Sequence, residues 1–339
     1  MMDMYERAGV NVGVANAIVE SIKSDVRSTY TADVLSDVGF FAGALCVNDI
    51  PDAPVLVAST DGVGTKTMLA ATHQHWKGIG HDVVNHCVND VLTMGARPLL
   101  FLNHIAAHKL VPENIYSVVS GMSEACRLNK CALLGGETAE MPGIYTKGSC
   151  DVSGTVVGVA SQLDLPWPTK MEPGDLIYGL PSNGPHTNGF SLIRRILDSH
   201  DPNFVLGDGF SVLEAVMRPH TSYLNPIARL KKAGVILKGT AHITGGGIEG
   251  NVPRVMPPGL RAHIDRNAWD KVTPLVFRQL IDWGQLDPDE AYRVFNMGIG
   301  MVLIVNAEQS SRVESVVQDA ILIGILTATS KDPHVVWRG

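Results

Sequence analysis

Cysteine is scarce and unpaired in this chain. Cys46, Cys87, Cys126, Cys131 and Cys150 are an odd count of 5 in 339 residues, and none is spaced Cys-x-x-Cys. A disulfide framework and a zinc ribbon are therefore not expected, and a reducing cytoplasm is the predicted setting. Aromatic residues make up only 6%. Basic residues are few and scattered, 27 against 34 acids for a net charge of −7, so no nucleic-acid surface is expected. No apolar run approaches the roughly 18 residues that a membrane span requires. The opening MMDMYERAGV has acids at Asp3 and Glu6 and no apolar core, which does not read as a signal peptide. Low-complexity tracts and short-period repeats are also lacking.

What remains is an ordinary globular balance, 45% hydrophobic and 18% charged. The length predicts about two domains. Glycine is the one excess, 34 residues, gathered in short loops where backbone approaches a ligand or takes positive φ. Apolar spacing predicts helices over 14–26, 79–94, 112–128, 189–197, 221–233, 274–283 and 308–320. Strands are predicted over 55–59, 99–105, 131–134, 151–160, 175–180, 261–264, 300–305, 321–326 and 335–337. The proline-rich LDLPWPTKMEPG (163–174) reads as a boundary between domains 1–165 and 170–339. Strands and helices are mixed throughout, so the fold class is α/β or α+β in two domains.

Five short stretches carry the chemistry. Thr60-Asp61-Gly62-Val63-Gly64-Thr65-Lys66-Thr67 follows a strand and opens a helix. It is neither a P-loop nor a dinucleotide fingerprint. Its glycines free backbone N–H groups for an anion, Lys66 adds a charge, and Asp61 suits a divalent cation. A plain turn capped by Asp61 is the bland alternative. On the 79–94 helix, Asp82, His86, Asn89, Asp90 and Thr93 share one face about 100° wide, opposite an apolar face. That polar face has no Lys, Arg or Glu, as a solvated face would. It predicts a site lined by oxygen donors, Asp82, Asn89 and Asp90, suited to Mg²⁺. His86 reads there as a structural or hydrogen-bonding histidine rather than a ligand. Glu137 and Glu140 sit in Gly135-Gly136-Glu137-Thr138-Ala139-Glu140-Met141-Pro142-Gly143, a predicted loop of metal or substrate ligands at a strand's end, or else a solvated surface loop. Pro181 to Gly189, with His186 and Asn188, and His242-Ile243-Thr244-Gly245-Gly246-Gly247 are further candidate phosphate loops. No Ser-His-Asp or Cys-His arrangement supports a covalent nucleophile.

DGVGTK (61–66), CVNDVLTMGARPL (87–99), GGETAEMPG (135–143), GPHTNG (184–189) and HITGGG (242–247) follow one another in the order and spacing of one family. Together they make the chain resemble the phosphoribosylformylglycinamidine cyclo-ligases over nearly its whole length. The resemblance implies ATP- and Mg²⁺-dependent closure of the imidazole ring of 5-aminoimidazole ribonucleotide, with release of ADP and phosphate. It implies an N-terminal mixed sheet that forms a barrel across a homodimer, and a C-terminal α/β domain. Candidate metal ligands are Asp61, Asp90 and Glu137, with Asp82 and Asn89 supporting. Lys23 and Lys66, with Gly62, Gly64 and Thr65, are assigned to ATP. His186 and Asn188 would orient substrate or shuttle a proton, and Gly245, Gly246 and Gly247 would receive the ribose phosphate. Two departures stand out. Phe40 occupies a place where the family often has glycine, and Ile248-Glu249-Gly250-Asn251 gives Glu249 no catalytic role. A small-molecule kinase or a selenophosphate synthetase of the same superfold is the alternative enzyme reading, and a silent nucleotide-binding partner is the non-enzyme one.

Overall fold

The computed structural model describes residues 27–28, 31–37, 40–46, 55–166 and 170–338. The predicted helix over 14–26 and Lys23 lie outside the described residues.

Two mixed sheets, each clad with helices, account for the described chain, as the predicted fold class requires. The first holds β1 (Gly43–Leu45), β2 (Val55–Gly62), β3 (Arg97–Ala107), β4 (Ala132–Glu140) and β5 (Cys150–Ala160) in the order β1-β2-β5-β3-β4. Only β3 and β4 run parallel. Along β5 alternate residues are buried, and Val152 and Val156 share a core with α2 (Trp76–Thr93) and α3 (Pro112–Leu128). The short α1 (Lys66–His73) precedes α2. α3 begins and ends as its sequence dictates: Pro112 needs no donor in the first turn, and Glu113 and Arg127 complement the dipole. α2 crosses α3 at Gly80 and Gly121. A Cβ on Gly80 would lie 2.0 Å from the Val118 carbonyl oxygen, and one on Gly121 2.0 Å from that of Lys77. Only glycine permits that approach.

The second sheet contains β6 (Leu176–Pro181), β7 (Leu237–His242), β8 (Leu260–Asp265), β9 (Ile299–Val305), β10 (Ile321–Ala328) and β11 (His334–Arg338). Their order is β11-β8-β10-β6-β9-β7, antiparallel except for β11 with β8. β9 is buried at every residue, which suits its unbroken apolar sequence. Around this sheet lie α4 (Phe190–Leu197), α5 (Val212–Met217), α6 (Leu224–Lys232), α7 (Gly247–Asn251), α8 (Leu275–Gly284), α9 (Pro288–Val294) and α10 (Ser310–Val316).

The structure lengthens two strands that the sequence ended early. β2 continues through Asp61 to Gly62, because every residue from Val55 onward finds a partner on β5. β4 absorbs the Gly-Gly-Glu-Thr-Ala-Glu stretch predicted as loop, because β3 supplies a parallel ladder out to Ala107 and Glu140. Tertiary pairing overrides weak local propensity in both cases. The predicted helix over 308–320 is only 310–316, since the chain turns at Val317 to feed β10. β1, β7, α5 and α9 are additions. Two of these had legible signals: the Ser211–Glu214 capping box of α5, and Asp287 capping α9 with Pro288 in its first turn. Cys87, Cys126, Cys131 and Cys150 are free thiols, and among the described residues no helix is long and apolar enough to cross a membrane.

Candidate active site

The polar face of α2 is buried, and what buries it is the second domain. Asp82, Asn85, His86, Asn89, Asp90 and Thr93 are all buried on this helix. Asn85 donates to the His220 carbonyl at 2.6 Å, and Asn89 donates to that of Thr221 at 2.8 Å and accepts from the Tyr223 N–H at 3.0 Å. Asp82 accepts the His220 N–H at 2.7 Å. These groups fasten α2 to the 220–223 segment. Asp82 and Asn89, expected as metal ligand and catalytic group, thus bond across the seam between the domains.

Lys66 is engaged in the same way. Its side chain is fully buried, with Nζ 2.8 Å from Asp82 Oδ2 and 2.9 Å from both the His186 and Arg218 carbonyl oxygens. Burial lowers the Lys66 pKa and raises that of Asp82, each opposed by the attraction between them. The ammonium thus spends its donors on protein groups in this structure. It holds the 186–187 turn and the 218–220 segment against the first domain. Thr65 adds a contact of the same kind, its Oγ1 lying 3.2 Å from Ser191 Oγ. Gly64 takes φ +64 with open space around its missing Cβ, and Gly62 lies on β2.

The remaining polar groups of α2 join a chain of hydrogen bonds between two carboxylates. Asp61 Oδ2 meets His86 Nε2 at 2.9 Å, and His86 Nδ1 meets Thr187 Oγ1 at 2.9 Å. Thr187 Oγ1 reaches His220 Nδ1 at 3.3 Å, and His220 Nε2 faces His242 Nε2 at 3.0 Å. His242 Nδ1 lies 2.8 Å from Asp90 Oδ1, and Asp90 Oδ2 accepts from Ser59 Oγ at 2.9 Å. Carboxylates only accept, which fixes the two terminal bonds, and the inner directions follow from placing the single positive charge on His86, beside Asp61. His86 donates to Asp61 and to Thr187. The Thr187 hydroxyl donates to His220, which donates to His242, which donates to Asp90. One imidazolium and two neutral imidazoles satisfy every bond.

The electrostatics agree with that assignment. Burial alone would discharge His86, but the Asp61 carboxylate and its hydrogen bond raise its pKa to about 9. Burial disfavours the Asp61 charge, yet His86 and the Gly62 N–H hold its pKa below the ordinary value. Burial dominates at His220 and His242, whose pKa values are lowered, so both stay neutral. The His86 shift gives a testable pH dependence. Its stabilisation is fully present below about pH 6.5 and is lost as pH rises through about 9. Asp61 is 44% exposed, so screening limits the effect to the order of 1–3 kcal/mol. Thermal melts are expected to show the wild-type midpoint falling between about pH 7 and pH 9.5, with His86→Gln flatter. Parallel curves would remove the ion pair from the account.

His186 stacks on His220 with ring centroids 4.0 Å apart and takes φ +60. Its Nε2 accepts weakly from the Thr221 N–H at 3.4 Å, so Nδ1 carries the proton, and that buried N–H has no protein partner. Asn188 Nδ2 is a second buried donor without a partner, two residues away on the same turn. The turn abuts the glycine loop: a Cβ on Gly245 would lie 3.5 Å from Asn188 Oδ1. Gly246 takes φ +93, and a Cβ on Gly247 would lie 1.9 Å from the Tyr292 carbonyl oxygen, so that loop needs its glycines.

Glu137 is not part of this constellation. It is exposed on β4, and its transverse row runs through His104 and Ser153 to Gly62 on β2. Three strand spacings, roughly 14 Å, separate it from the Asp61 end of β2. In this structure Glu137 therefore lies apart from Asp61 and Asp90, with which the sequence grouped it as a metal ligand. Glu140 accepts the Leu110 N–H at 2.9 Å. Sequence reasoning assigned no role to Ser59, Thr187, His220, His242 or Arg254. Thr187 and His242 lie inside the quoted motifs, whereas no motif marks His220. The Arg254 guanidinium lies 3.8 Å from the centre of the Phe41 ring, and the Phe41 carbonyl accepts from Ser59, so this arginine seats the 40–46 segment beside Asp90.

Residues 42–160 match the family described as AIR synthase related protein, N-terminal domain, and residues 172–336 match its C-terminal domain. A phosphoribosylformylglycinamidine cyclo-ligase of Alkaliphilus metalliredigens (strain QYMF) is 40% identical over 336 residues, covering 96% of each chain. One from Desulfitobacterium hafniense (strain DSM 10664 / DCB-2) is 43% identical over 321 residues, covering 93% of each. Among solved structures, the HypE–HypF complex aligns with a TM-score of 0.67 at 16% identity, covering 95% of this chain and 96% of that one. AaThiL complexed with AMPPCP and TMP aligns with a TM-score of 0.66 at 15% identity, covering 94% and 92%. Identities this low establish the shared fold alone.

Proposed function

The chain belongs to the phosphoribosylformylglycinamidine cyclo-ligase family, and from that premise we propose that it closes formylglycinamidine ribonucleotide to 5-aminoimidazole ribonucleotide, converting ATP to ADP and phosphate. The observation that carries this reading is the pair of carboxylates, Asp61 and Asp90, joined through neutral and charged imidazoles at the seam between the domains. An amide carbonyl is a poor electrophile, and ATP activates it by phosphorylating the formyl oxygen. A ring-closing nitrogen then attacks, and phosphate leaves. Such a transfer requires alignment and charge neutralisation, not a covalent nucleophile. Mg²⁺ fits the donor set, because Asp61 and Asp90 retain free lone pairs and Asp61 reaches solvent. When bound, the ion neutralises phosphate charge.

The protein's own groups orient and hold protons. The unpartnered His186 Nδ1–H and Asn188 Nδ2 are donors for substrate oxygens, and Gly245, Gly246 and Gly247 let the ribose phosphate approach the backbone. The imidazole chain carries a proton between Asp61 and Asp90 by reversing its hydrogen bonds. The first sheet supports a homodimer: Leu56, Ala58, Leu102, Val157 and Val159 leave its second face open, in keeping with a barrel completed by another copy. In that arrangement Glu137 acts across the interface or not at all.

A coupled assay for ADP release tests the reading. ADP is expected with formylglycinamidine ribonucleotide and not with thiamine monophosphate, selenide or no substrate. Asn188→Ala is expected to raise KM for the ribonucleotide about tenfold, the worth of one or two hydrogen bonds. ADP release driven by thiamine monophosphate would instead identify a kinase.

A further inference from the structure

We propose that His86, Asp90 and His242 form a binding site for an imidazole-preferring divalent transition-metal ion, with Zn²⁺ as the probe. One donor atom from each residue lies within 4.8 Å of the other two, and all three side chains are buried. Among the described residues no other three His, Cys, Asp or Glu donors meet so closely. Four-coordinate Zn²⁺ at about 2.0–2.2 Å from each donor places donors about 3.4 Å apart. The three donors lie within 4.8 Å of one another and His242 Nδ1 is 2.8 Å from Asp90 Oδ1, close enough for small side-chain shifts to reach that spacing.

The scaffold is suited to such an ion. His86 and Asp90 are four apart on α2 and so share its face, while His242 ends β7, so both supports are regular elements. Two imidazoles and a carboxylate leave a fourth position open and favour Zn²⁺ over Mg²⁺, which prefers oxygen donors. Outer partners are in place. His220 Nε2 faces the second ring nitrogen of His242 at 3.0 Å and Ser59 donates to Asp90 at 2.9 Å, while His86, whose two ring nitrogens meet Asp61 and Thr187, gives up one N–H and that partner to bind the ion. Such partners orient ligating side chains. The proposal makes a ligand of His86, which its sequence context suggested as a structural or hydrogen-bonding histidine. Asp90 is shared with the Mg²⁺·ATP role, so a bound Zn²⁺ ion excludes that complex.

The test is calorimetric titration of the full-length, chelator-stripped protein with Zn²⁺ alone, in buffer without nucleotide. One ion per chain is expected. Binding is expected to weaken at least tenfold in His86→Gln and His242→Gln and to stay unchanged in the exposed control His75→Gln. Co²⁺ in place of Zn²⁺ is expected to give the visible bands of four-coordination in the wild type and not in His242→Gln. Should either glutamine variant fail to fold, His220→Ala carries the test, since loss of an outer partner costs tenfold to a hundredfold in affinity. No uptake by the wild type, or equal uptake by the wild type and these variants, overturns the proposal. The readout involves neither ATP nor ribonucleotide, so it stands or falls separately from the ring-closing reaction.

Discussion

Asp90→Asn is expected to lower ATP-dependent turnover by about 10² to 10⁴ while leaving the fold intact. The fold survives because an asparagine oxygen still accepts from His242 Nδ1 and fills the same volume between Ser59 and the imidazole. Turnover does not, because the amide has no charge to hold a divalent ion against phosphates or to draw a proton along the histidines. Steady-state kinetics with the ribonucleotide, paired with a thermal melt, make the measurement. Turnover within threefold of wild type would remove Asp90 from the chemistry. A collapse in melting temperature would make it a structural group instead.

Lys66→Met is expected to destabilise the protein by about 3–5 kcal/mol, the cost of leaving a buried charge without its partner. Asp82 is fully enclosed, and without the ammonium it keeps only the His220 N–H. The His186 and Arg218 carbonyl oxygens lose a donor in the same stroke. Urea unfolding reads the loss directly. Lys66→Met/Asp82→Leu is expected to recover part of it, since two apolar groups in contact replace a broken pair. If the double variant loses the sum of the single losses, the pair is not coupled and the brace is wrongly assigned. Turnover should fall as well, because Lys66 positions the turn that bears His186 and Thr187.

Much of this protein is legible without coordinates. The helix over 112–128 agrees with its sequence to the residue, because Pro112, Glu113 and Arg127 mark its ends locally. The short polar side chains on one face of α2 betray a buried surface, since a solvated helix would carry lysine and glutamate. What they do not betray is which surface. The sequence reading placed oxygen donors for Mg²⁺ along that face, and in the structure Asp82, Asn85 and Asn89 bond across the seam while His86 and Asp90 join the chain of histidines.

The amino-acid order alone determined that there are two α/β domains, that glycine loops interrupt them, and that carboxylates and histidines cluster in quoted motifs. Local signals suffice for these, because caps, turns and periodicity act over a few residues. Tertiary structure decided which charges work and which merely hold. His220 reaches Asp82 from 138 positions away, and His242 reaches Asp90 from 152. The role of a polar side chain follows from its burial and its partner, and partners so distant along the chain meet only once both sheets have formed.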